Sequence, residues 1–160
     1  MRSLAKTIAA ASFIVACLGA SAASADVLLS KSTTGVFNLS PGPAVSVPLD
    51  KKGNTVLNFE TTKKGVVVII YNAECAAQGD DGDWVGLQIL VDGKPTNPKV
   101  STSDFAFCSA AGGATNIYSA VSRVAYVTLK PGPHSVEVIA ALHSGADAGR
   151  VDDSSIVIFD

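Results

Sequence analysis

The chain is poor in charge. Only 16% of its 160 residues are Asp, Glu, Lys or Arg, against about 25% in an ordinary globular protein. The formal net charge is −2, so no basic excess exists to draw in nucleic acid or an anionic lipid surface. There are three cysteines, and none stands at the C-x-x-C spacing that tunes a redox-active thiol pair. No Cys/His cluster has zinc-ligand spacing, and no G-x-S-x-G nucleophile elbow occurs. No second apolar run reaches the roughly 20 residues that a membrane-spanning helix needs. Nothing reads as a long helix, and no internal repeat is visible. Together these gaps lead us to expect a protein that is not an enzyme, spans no membrane and binds no nucleic acid.

What is present begins at the front. Arg2 and Lys6 precede an apolar stretch from Ile8 to Leu18, and small residues follow to Ala23-Ser24-Ala25. A positive start, a short apolar centre and an A-x-A end are the layout of a secretory signal peptide. Residues 1–25 are therefore read as a leader and residues 26–160 as one domain, secreted or periplasmic. Losing Arg2 and Lys6 leaves ten cations against fourteen carboxylates, a net charge of −4. The 135 residues that remain are enough for one buried core. Ile14-Val15-Ala16-Cys17 also resembles a bacterial lipobox, which would make Cys17 a lipid anchor. The better-formed Ala23-Ser24-Ala25 site favours a freely released chain.

Cleavage leaves Cys75 and Cys108. Two cysteines in an exported domain imply a disulfide, and only one intramolecular pairing is available. The two lie 33 residues apart, a loop whose closure removes roughly 3–4 kcal/mol of freedom from the unfolded chain. Each follows an apolar segment, so the bridge is expected to staple two strand ends or the loops beyond them.

Short β-segments separated by turn residues fill the rest. Thr55 to Thr61 alternates, with Leu57, Phe59 and Thr61 on one face. Val66 to Tyr71 is continuously apolar and predicts a central strand covered on both faces, as does Ile156 to Phe159. Trp84 to Val91 alternates again, and Asp92-Gly93 marks a type I′ hairpin turn. Thr96 to Asp104 reads as loop. Ile117 to Leu129 predicts a long strand with a bulge near Ser122-Arg123, where the apolar phase slips. Ser135 to Leu142 alternates, and Ser144 to Asp153 reads as a polar loop. About eight strands at this spacing predict an all-β, single antiparallel β-sandwich, jelly-roll-like, with one disulfide.

Two segments carry a resemblance. Leu129-Lys130-Pro131-Gly132-Pro133-His134-Ser135-Val136-Glu137-Val138 resembles a hairpin of extracellular β-sandwich modules. Asp152-Asp153-Ser154-Ser155-Ile156-Val157-Ile158 resembles the closing strand of galactose-binding-like and carbohydrate-binding jelly rolls. The resemblance covers the last fifth of the chain. It implies a jelly roll and a binding role, and it assigns no ligand residue.

Three carboxylates, Asp80, Asp81 and Asp83, stand on a glycine-bearing loop. They are candidate ligands for Ca²⁺, which takes oxygen donors. Their spacing is not that of an EF-hand, and a solvated turn explains them as well. Asp147, Asp152 and Asp153 form a second acidic group, which would strengthen a calcium site if the two loops met. Trp84, the sole tryptophan, lies out of phase with the Val85/Leu87 face and is a candidate to stack on a sugar ring. Tyr118 and Tyr126 are similar candidates. His134 and His143 fall on opposite faces of one strand and read as surface residues. Two functions remain: a carbohydrate- or ligand-binding module, or a structural or protein-interaction domain of a surface assembly. The first requires an aromatic beside polar groups. The second requires a broad apolar patch or an open strand edge such as Val27 to Lys31.

Overall fold

The computed structural model describes residues 25–112 and 117–160. The expected leader, with Cys17, lies outside these residues except for Ala25. Among the described residues there are eleven strands and no helix: β1 (Val27–Thr33), β2 (Phe37–Leu39), β3 (Val45–Ser46), β4 (Val56–Thr61), β5 (Gly65–Gln78), β6 (Trp84–Val91), β7 (Lys94–Pro95), β8 (Ala106–Ser109), β9 (Ser119–Leu129), β10 (Gly132–His143) and β11 (Ala148–Phe159). They form two antiparallel sheets. Sheet A runs β1-β11-β5-β9, with β2 also on β11; sheet B runs β3-β10-β6-β7, with β4 also on β10 and β8 also on β6.

The short strands come in pairs that share one partner. β1 and β2 pair with successive stretches of β11, β4 and β3 with β10, and β7 and β8 with β6. Counted as split strands, they give two sheets of four positions, ordered 1-8-3-6 and 2-7-4-5. That winding, alternating between the sheets, is a jelly roll.

The core lies between the sheets. Leu57 and Phe59 of β4, Val85, Leu87 and Ile89 of β6, and Val136, Val138 and Ala140 of β10 face Val67, Ile69 and Tyr71 of β5 and Ile156 and Ile158 of β11, all buried. Alternation set these faces, as period two requires. The Cys75–Cys108 disulfide joins β5 of sheet A to β8 of sheet B, with Cα atoms 5.9 Å apart. It is a staple between the layers, and on the β5 side it sits within the strand rather than beyond its end. Asp92 and Gly93 both adopt positive φ, 51° and 70°, as a type I′ turn demands.

Four expectations are corrected. β5 is central, but it is not covered on both faces: Val66 is 55% exposed and Val68 and Ile70 are half-buried. A continuous apolar run reports apolarity on both faces, and here nothing among the described residues lies over the outer one. β11 behaves alike, with Val157 half-buried between fully buried Ile156 and Ile158 and Phe159 half-buried after Ile158. The phase slip at Ser122-Arg123 is not a bulge, because β5 and β9 pair without interruption from Gly65↔Leu129 to Cys75↔Ser119. Arg123 keeps the inward phase, 5% exposed, with its guanidinium 3.9 Å from the centre of the Phe105 ring. Last, Ser144 to Asp153 is not one loop. β11 begins at Ala148, and Asp152 pairs with Glu74 beside the register shift that precedes Ser155.

Residues 96–105 link β7 to β8 as a strap that reaches the β9 edge of sheet A at Asn97 and the outer face of sheet B at Thr102. Thr96 anchors it through its backbone N–H and hydroxyl, both donating to the Ile89 carbonyl at 3.2 and 2.9 Å. Asn97 exchanges two backbone hydrogen bonds of 2.9 Å with Tyr126 at the edge of sheet A. Arg123 then holds Phe105 and donates weakly to the Pro98 carbonyl at 3.4 Å. Farther on, the Thr102 carbonyl packs on Gly86 so closely that a Cβ there would lie 1.8 Å from the oxygen. Only glycine permits that approach.

Candidate functional site

Trp84 opens β6 on the outer face of sheet B. Its register partner is His143, the last residue of β10, so the two side chains project from one face as neighbours. Their rings lie 4.5 Å apart, tilted by 30°. The indole N–H donates to Ser144 Oγ at 3.0 Å. Ser144 and Gly145 turn the chain from β10 toward β11 with φ of 64° and 105°. Gly86 matters here too, since a Cβ at that position would come within 2.8 Å of the His143 ring. Trp84 and His143 are each half-buried, and Ser144 and Gly145 are exposed.

Three loops are stitched together at this end. The Asp147 N–H donates to the Gln78 carbonyl at 2.9 Å, and the Ala110 N–H donates to the Asp83 carbonyl at 2.7 Å. The acidic turn therefore meets the start of the β10–β11 connection, as far as Asp147. Asp152 and Asp153 do not join it, because they lie on β11 beside Glu74. Within the turn the carboxylates separate. Asp83 is 5% exposed and accepts from the Asp80 N–H at 2.7 Å. Its Oδ2 fills the space where a Gly79 Cβ would stand, at 2.1 Å. Asp81 instead turns toward Gly112. Among the described residues no group of three or more His, Cys, Asp or Glu could hold a metal ion.

The other sequence candidates fall elsewhere. Tyr118 is 36% exposed just before β9. Tyr126 is 49% exposed on the outer face of sheet A, more than 40 residues from Trp84 in sequence and on the opposite sheet. His134 packs its ring on Phe59, 5.7 Å between centres. Its Nδ1 faces Asp92 Oδ2 at 2.8 Å and its Nε2 faces the Lys130 carbonyl at 2.9 Å. Both partners are acceptors, so the doubly protonated ring satisfies them best. The Lys130 carbonyl, with the Asp92 carboxylate, accordingly raises the His134 pKa above its ordinary value. Burial pushes the Asp92 carboxyl up, but the Ser135 N–H and His134 outweigh it and leave Asp92 below the usual carboxylate range.

Sequence reasoning missed the outer face of sheet A. The register sets Val27, Phe159, Val68 and Tyr126 in one row across the sheet, and Val157, Ile70 and Val124 in the next. Val27, Val66 and Val124 are more than half exposed. Beyond this apolar area the same face becomes polar. A depression of about 300 Å³ there is lined by Asn72, Glu74, Ser122 and Asp153 among others. Two further depressions open at the Ser30–Asp50–Lys51 edge and beside Asn97 and Lys99, and Trp84 lines none of the three. The signal for the open face was the alternation in β9, where Val124 and Tyr126 are out of phase with Ala125.

No family model matches the chain, and no curated protein matches it. Solved structures to which the chain shows some similarity include the EclA C-terminal domain, described as a sugar-binding protein. It is 12% identical, with 82% of this chain and 83% of that chain covered and a TM-score of 0.39. Dimeric latent PorU from Porphyromonas gingivalis is 9% identical, with 87% of this chain but 14% of that chain covered and a TM-score of 0.40.

Proposed function

We propose that the chain is an exported, non-catalytic binding module that takes carbohydrate at the Trp84 end. The leader, residues 1–25, is removed on export, and residues 26–160 act outside the cytoplasm, secreted or periplasmic. The Cys75–Cys108 bridge between the sheets suits such an oxidising compartment.

The observation that carries the proposal is the Trp84–His143 ring pair beside an exposed serine and a carboxylate-bearing turn. Sugars present flat C–H faces that pack on aromatic rings and hydroxyls that pair with carboxylates, hydroxyls and backbone groups. His143 stacked on Trp84 and the Ser144 hydroxyl on its N–H hold the indole in one orientation, which lowers the ordering cost of binding. Calcium enters only as an arm of the test, since Asp80, Asp81 and Asp83 are not gathered into a ligand set.

The test is a thermal-shift panel on the exported chain, with sugars and soluble polysaccharides, each in Ca²⁺ and in chelator. A ligand at 100 times its dissociation constant adds about 2.7 kcal/mol, a shift of several degrees. The expected result is a saccharide shift that Trp84→Ala abolishes. A panel without shifts, or a shift that survives Trp84→Ala, overturns the proposal. Mass analysis of the released chain tests the leader, with Asp26 expected as its first residue. A second reading, interaction with a protein, is favoured by one separate observation, the apolar outer face of sheet A.

A further inference from the structure

We infer that the outer face of sheet A binds a second copy of this chain, face to face and with strands antiparallel. This goes beyond carbohydrate binding and uses a different surface. Val66, Val68, Ile70, Val124, Tyr126 and Phe159 form a continuous apolar field on a sheet whose other face is the core. No described element covers it. Exposed apolar fields of this kind on soluble domains mark association surfaces, and two sheet faces pack well about 10 Å apart.

Charge at the two ends of this face specifies the occupant. At the Gly65 end, Lys63, Lys64 and Lys130 outnumber Asp26 and Asp160. Lys63 pairs with Asp160 at 3.5 Å, and among the described residues neither Lys64 nor Lys130 has a carboxylate within 4 Å. At the far end, Glu74 and Asp152 stand directly opposite in register with Asp153 next to them. Like charges directly opposite are unfavourable in an isolated sheet. Arg150, in the same phase two residues along β11, makes no ion pair with them within 4 Å among the described residues. The face is thus basic at one end and acidic at the other, about 30 Å apart along β5 at a strand's rise per residue.

A two-fold axis in the plane of the face has two simple settings. Parallel to the strands, it sets acid on acid. Perpendicular to them, it brings each copy's lysines over the other's Glu74 and Asp152 and stacks Val68 and Ile70 near the axis. The second setting is self-complementary, as an isologous dimer requires, and supplies the missing cations.

Sedimentation equilibrium on the exported chain tests this over a range of protein and salt concentrations. The expected result is a monomer–dimer equilibrium that weakens with salt. Val124→Glu should weaken it roughly 30-fold or more, as loss of a central anchor does, while circular dichroism stays unchanged. Glu74→Lys should weaken it, and the double variant Lys64→Glu/Glu74→Lys should restore it, an outcome that misfolding does not produce. A monomer at every concentration overturns the inference. So does a dimer indifferent to Val124→Glu, which would place the contact on another surface such as the β1 edge. Neither result bears on the Trp84 site, whose readout is saccharide binding.

Discussion

The two outer faces of this sandwich are treated differently. On sheet B the Thr102 carbonyl of the strap packs on Gly86, whose register partner Ala141 is 6% exposed. Across the molecule, Val66 and Val124 are 55% and 53% exposed with nothing described above them. Sheet B also exposes Val45 and Val56, but only at its β3/β4 edge, where Ser46 donates to Glu137 alongside. The strap is fastened by a glycine that admits a carbonyl, a threonine bonded twice to one oxygen, and a buried arginine over an aromatic ring.

The largest effect on this contrast comes from lifting the strap. Gly86→Val places side-chain carbon where the Thr102 carbonyl sits. It should cost about 3 kcal/mol or more in urea unfolding, toward the upper end of overpacking penalties, and should open the outer face of sheet B around Ala141 to a hydrophobic dye. Next is Arg123→Ala, which removes the cation–π contact and the buried stem. Unfolding should fall by about 1–2 kcal/mol, and limited proteolysis should cut first within residues 98–104. Unchanged strap protection in this variant would show that Thr96 and Asn97 suffice. A serine at Val124 sharpens the contrast from the other side. The position is exposed, so the stability of the monomer should move by no more than about 0.5 kcal/mol, whereas self-association should weaken, though less than in Val124→Glu.

The smallest effect lies at the β6–β7 turn, outside both faces. His134 has a raised pKa, so its contribution is complete below the ordinary histidine value of 6.5 and is lost as pH rises through the higher folded value. Asp92 has a lowered pKa, so its share is present above the ordinary value of 3.8 and is lost as pH falls through the lower folded value. With Asp92 44% exposed, screening holds the pair to about 0.5 kcal/mol. Melting temperature against pH should therefore decline slightly on the alkaline side of 6.5, and His134→Gln should flatten that slope.

Much of this architecture was legible in the sequence. Alternation in Thr55 to Thr61 and Trp84 to Val91 gave the inward faces, Asp92-Gly93 gave its turn, and two cysteines left one pairing. What stayed hidden depended on partners far along the chain. Val66 to Tyr71 reads the same whether its outer face is covered or bare. Arg123 looks like a phase error until Phe105 and Pro98 are seen beside it. Asp152-Asp153 closes an apparent polar loop because nothing local reveals that Asp152 is already paired with Glu74 on a strand. For the site, Trp84 and the acidic turn were legible, but His143 and Ser144 were not. Only the β6–β10 register brings residues some 60 positions apart onto one face.

Small-angle X-ray scattering of residues 26–160, beside the Val124→Glu variant, tests the central claim most directly. The account predicts twice the monomer mass for the parent and a compact particle of four stacked sheets, with the variant at monomer mass. A parent at monomer mass, or a dimer extended edge to edge through β1 as two broad layers, would contradict it.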